Sequence, residues 1–130
     1  MKEKLIKRLV ELPEEIANSQ KELLDLMDSE KTCKDSIIQL ETVLKSEIAS
    51  ALDASGKKLY PNDITRDAAF NELSAENDEL VGFKNEYVNL QRKTQECRIT
   101  IEMLVSEQKN SRTILNFLGT SDNSYDVLHS

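Results

Sequence analysis

The sequence predicts an all-α protein. The expected form is a long antiparallel helical hairpin of the coiled-coil kind, with short N-terminal and connecting helices. Three observations carry this. Only three glycines and two prolines interrupt 130 residues. Strands need β-branched and aromatic runs broken by frequent turns, and the chain has neither. Two long stretches repeat apolar residues at alternating steps of three and four, the period of a helical seam.

The elements follow in order. Leu5, Ile6, Leu9, Val10 and Leu12 share one helical face, with Lys2, Lys4, Lys7 and Arg8 largely opposite. Pro13 suits the first turn of a further helix, and Glu14 and Glu15 follow where the helix dipole favours acids. A short helix is therefore expected to bend into a long one near Leu12–Pro13. The long pattern runs from Pro13 to about Asp53 through Ile16, Leu23, Leu26, Met27, Cys33, Ile37, Leu40, Leu44, Ile48 and Ala51. Gly56 is placed to end it through a left-handed cap. Asn62 can cap a helix over 63–73 with Ile64, Ala68, Ala69, Phe70 and Leu73 as contacts, and Asn77 can cap the next. That last helix has the regular seam Leu80, Phe83, Tyr87, Leu90, Thr94, Cys97, Ile101, Leu104, Gln108, Ser111, Leu115 and Leu118. Gly119 should end it, leaving one domain over 1–118 and a flexible polar tail over 119–130.

With helix ends near Asp53 and Asn77, facing residues would have numbers adding to about 130. Cys33 and Cys97 then fall in one layer, where small buried residues let the helices approach closely. Leu24, Ile38, Leu52 and Ile99 lie off the main stripes. This spare apolar surface predicts a homo-oligomeric bundle, most simply a dimer of hairpins. The rival arrangement is a monomer with its short helices folded back.

The net charge of −7 argues against general duplex DNA binding. With His129 as the one histidine and two cysteines, neither a His/Cys metal cluster nor a catalytic pair can be assembled. No apolar run approaches the length of about 20 residues that spans a bilayer, and no signal peptide is visible. The expectation is a cytoplasmic, non-enzymatic protein with reduced thiols, no cofactor, no metal and no membrane partner.

One stretch stands apart. "SGKKLYPNDITRD" (55–67) holds a local positive island in an acidic chain. Lys57, Lys58 and Arg66 supply charge, Tyr60 a stacking ring, and Asn62 opens a helix N-terminus that favours anions. These five residues form the candidate ligand site, suited to an anionic nucleotide-type molecule. The competing reading is a helix junction: Pro61 holds Tyr60 extended, Asn62 caps, and Arg66 pairs with Asp63 or Asp67. The segment is not a P-loop, because it lacks the spaced glycines and the Gly-Lys-Ser/Thr ending.

"KKLYPNDITRDAAFNEL", "ENDEL" and the long helix after them resemble small helical accessory proteins of tailed bacteriophages. The shared element is a Tyr-x-Asn-x-x-x-Arg turn before a long helix, matched here by Tyr60, Asn62 and Arg66 across roughly residues 57–118. The resemblance implies a phage accessory protein in the host cytoplasm. Its expected roles are counter-defence, by sequestering an immune nucleotide signal or blocking a defence protein, or assistance in phage DNA recombination or replication. A self-assembling structural scaffold is a third expectation.

Overall fold

In the computed structural model, the backbone is described for residues 1–129 and side chains through Gly119. The chain is 88% helical, and its two long helices pack against each other. Helix α1 spans Lys2–Ser50, α2 spans Asp63–Glu76 and α3 spans Asp78–His129. Among the described residues, β-structure is limited to an isolated antiparallel bridge between Leu52 and Lys58.

The expected break at Leu12–Pro13 does not occur, because α1 runs through Pro13 without interruption. Proline removes one helical hydrogen bond and crowds the preceding turn, at a cost of about 3 kcal/mol. Two features oppose it. Leu12 is fully buried. Arg8 reaches across the proline to Glu15 at 2.6 Å, touches Glu11 at 3.6 Å, and bonds Glu107 of α3 at 2.7 Å. Glu15 is therefore an ion-pair partner in mid-helix, not a first-turn acid.

Two compact units divide the chain. One comprises Met1–Asp25 and Thr94–Ser130, the other Leu26–Lys93. In the first, Leu5, Leu9, Leu12, Ile16, Ser19 and Leu23 form one side of the seam by steps of four and three, all buried or half-buried. Thr94, Cys97, Ile101, Leu104, Gln108, Ser111, Leu115 and Leu118 form the other, as the spacing predicts. The Cys97 thiol donates to the Ser19 carbonyl at 3.3 Å. In the second unit Cys33, Ile37 and Leu80 form the core, with Leu40, Phe83, Tyr87 and Leu90 packed on it. Here the Cys33 thiol donates to the Phe83 carbonyl at 3.2 Å. Met27, expected on this face, is 42% exposed, and Glu30 takes the seam position instead.

The two thiols therefore do not share a layer. Cys97 lies opposite Ser19, and Cys33 lies opposite Phe83, in different units. The reason is α2. Its fourteen residues lie against the last turns of α1, with Lys45 Nζ 4.9 Å from the centre of the Phe70 ring. Those turns are already covered, so α3 begins against Ile37 rather than at the end of α1. The hairpin register slips by about four turns from the symmetric expectation.

Caps behave largely as the sequence suggests. Asn62 and Thr65 form a reciprocal capping box, the Thr65 amide donating to Asn62 Oδ1 at 2.9 Å. Asn77, in extended conformation, ends α2 and caps α3 by accepting from the Leu80 amide at 2.9 Å. Of the residues expected to anchor α2, Ala69 is buried, whereas Ile64 is 82% exposed. Gly119 does not end the helix, because α3 continues to His129. One glycine costs a helix only about 1 kcal/mol, and no capping turn follows it here. Side chains after Gly119, His129 included, and the whole of Ser130 lie outside the described residues.

Replacing Pro13 with alanine restores the missing bond without touching the seam. Pro13→Ala should raise the unfolding free energy by about 1–3 kcal/mol, read from thermal or urea melts. An unchanged or lowered midpoint would show that α1 gains nothing from a standard helical residue there.

Candidate functional site

The segment after α1 is built around Asp53. Its Oδ1 accepts from the Ser55 amide at 2.9 Å, the Ser55 hydroxyl at 2.7 Å and the Lys57 amide at 3.0 Å. The Gly56 amide donates to the Asp53 carbonyl, and the Asp53 amide to the Lys57 carbonyl. Gly56 adopts φ +80°, the left-handed conformation expected of it. It serves this tight turn and not the helix end, since α1 stops six residues earlier, at Ser50. The Leu59 amide then bonds the Ala51 carbonyl, closing a small hairpin.

The chemical consequence is specific. A turn of converging amides is a natural anion cradle, and here the protein's own carboxylate fills it. The Ser55 hydroxyl and the Lys57 and Ser55 amides hold the Asp53 carboxyl below the usual carboxylate range.

The five expected site residues do not converge on one cavity. Lys57 and Lys58 are exposed on the hairpin, and Tyr60 is half-buried. Asn62 is engaged in its capping box. Arg66 pairs with Asp63 at 2.9 Å. It alone of the five lines a cleft of about 190 Å³, together with Lys45, Ile48, Asp63, Asp67 and Phe70. Sequence reasoning missed Lys45 and Phe70 as site residues. The spacing of Asp63, Arg66, Asp67 and Phe70 on one face of α2 was the available signal, whereas nothing local linked Lys45 to them. The cleft offers two cations, two carboxylates and a ring, which suits charge pairing and ring contact.

The cysteines are a separate matter. Burial pushes both thiols up from their ordinary values, with Glu86 adding to the effect at Cys33 and Glu22 at Cys97. A thiol held protonated in this way is a poor nucleophile. Among the described residues no cluster of three or more His, Cys, Asp or Glu is arranged to hold a metal ion. Nor is any helix there long and apolar enough to cross a membrane. No protein-family model, curated protein or solved structure matches the chain.

The Asp53 turn makes a pH prediction. A carboxylate with a depressed folded value stabilises the fold above its unfolded value of about 3.9 and loses that contribution as pH falls through the lower folded value. Carboxyl chemical shifts should show Asp53 titrating below the ordinary aspartate value of about 3.9, and Asp53→Asn should flatten this acid limb of stability. The cysteines yield a second expectation: both should resist alkylation at neutral pH until denaturant is added, with no Cys33–Cys97 disulfide formed in the folded state.

Proposed function

We propose that the chain works by stoichiometric binding to a protein partner, not by catalysis. The supporting observation is the outer face of α3. Ile99, Met103, Ile114 and Phe117 are 47%, 67%, 44% and 69% exposed and share one side of α3 as two pairs, separated by polar turns. Ile99, Met103 and Ile114 edge a shallow groove with Ser106 and Asn110. Single exposed apolar residues are ordinary, but an aligned set is what helix-mediated recognition uses. The likeness to phage accessory proteins supports a setting in counter-defence, where the partner is a host defence protein, or in phage DNA recombination or replication.

A Met103→Ser/Phe117→Ser variant tests this. Its seam is untouched, so helix content by circular dichroism should match the wild type. Proteins cross-linked to the wild-type chain in infected cells should be lost from the variant, and identical recovery by both chains would sink the reading.

A second reading rests on Lys57, Lys58 and Arg66 beside Tyr60: capture of an anionic nucleotide-type ligand, such as an immune signal. The cleft's roughly 190 Å³ is small beside the 300–1,000 Å³ usual for small-molecule sites, which favours the protein partner. Calorimetry against cyclic and linear nucleotides addresses it. Binding that weakens in Tyr60→Ala and Arg66→Ala supports capture, and no heat across the panel removes it.

A further inference from the structure

Within the unit that holds Met1–Asp25, α1 carries a second apolar stripe. Ile6, Val10, Pro13, Ala17 and Leu24 each follow a seam residue by one position, about 100° further round the helix, and the polar Gln20 holds the place before Leu24. All five are exposed, Ile6 at 46%, Val10 at 74% and Leu24 at 61%. A helix with two adjacent stripes at heptad spacing is built to pack against two neighbours. Here α3 covers only the first.

Charge identifies the second neighbour. Lys7, Glu14 and Lys21 run along one edge of the stripe at seven-residue steps, alternating in sign and all exposed. None of the three makes an ion pair among the described residues. In antiparallel packing of a helix against its own copy, each edge meets the same edge of the partner. Three registers, one heptad apart, align the apolar stripes. In the middle one Glu14 meets Glu14 and Lys7 meets Lys21, and like charges repel. In the other two Glu14 meets an opposite charge on both sides of the two-fold axis, Lys21 in one and Lys7 in the other. The Lys21 register sets Ala17 against the polar Gln20 and carries Ile6 and Val10 past the end of the partner's stripe. The Lys7 register packs Ile6 beside the partner's Ala17 and Val10 beside the partner's Pro13, so the stripe residues that meet are all apolar.

We propose that this stripe docks a second copy of the chain, antiparallel, with reciprocal Glu14–Lys7 pairs across a two-fold axis. The contact is separate from the α3 face and does not depend on which partner that face takes.

A charge swap followed by sedimentation equilibrium tests the proposal. The wild type should dimerise at micromolar concentration. E14K and K7E each place like charges at both contacts and should raise the dissociation constant roughly tenfold or more. The double variant E14K/K7E restores the pairing and should dimerise as the wild type does. An equimolar mixture of the two single variants should form a heterodimer, since every contact in it is attractive. Val10→Asp should give a monomer with unchanged helix content. A wild type that stays monomeric at roughly 100 μM, single variants that dimerise like the wild type, or a mixture that fails to recover association would each overturn it.

Discussion

The α1–α3 seam is the contact on which the rest of the structure depends, and α2 sets its register. A long helix buries little by itself, and most helical stability comes from packing an apolar face. The two long helices supply such faces to each other. A regular heptad seam is nearly self-similar, so it can be satisfied at several offsets. The choice falls to α2, which covers the last turns of α1 through Phe70 and Lys45 and leaves α3 to start at Ile37. Once Leu80 is placed there, Phe83 meets Cys33, and in the other unit Cys97 meets Ser19.

Polar residues within the seam are consistent with that single offset. Thr94 and Ser111 are buried, and among the described residues no buried side-chain oxygen or nitrogen lacks a partner. Arg8 adds a further lock. Its guanidinium joins three carboxylates from two helices, with Glu107 and Glu15 raising its already high affinity for the proton. The same residue braces α1 across Pro13, so one side chain supports both the helix and its pairing.

The segment over 51–67 shows how a local pattern can point to a ligand and still be used structurally. Its amides converge as an anion site would require, but on Asp53. Its helix N-terminus is capped by Asn62, and its arginine is paired with Asp63. What stays available for recognition is Lys57, Lys58 and the small charged cleft around Arg66 and Lys45.

Local and periodic signals in the sequence determined a good deal by themselves: the all-α class, every position of the α3 seam, the caps at Asn62 and Asn77, and the left-handed conformation of Gly56, though not the turn it serves. Each depends on neighbours a few residues away, so it can be read without knowing the fold. The tertiary structure alone decided the continuity of α1 through Pro13, the four-turn slip that separates Cys33 from Cys97, and the meeting of Lys45 with Phe70. The slip and the ring contact depend on where α2 comes to rest. The continuity of α1 depends on whether burial of Leu12 and the Arg8 ion pairs outweigh a local breaker. Such balances are struck between residues far apart in the chain, where heptad spacing is silent because it repeats.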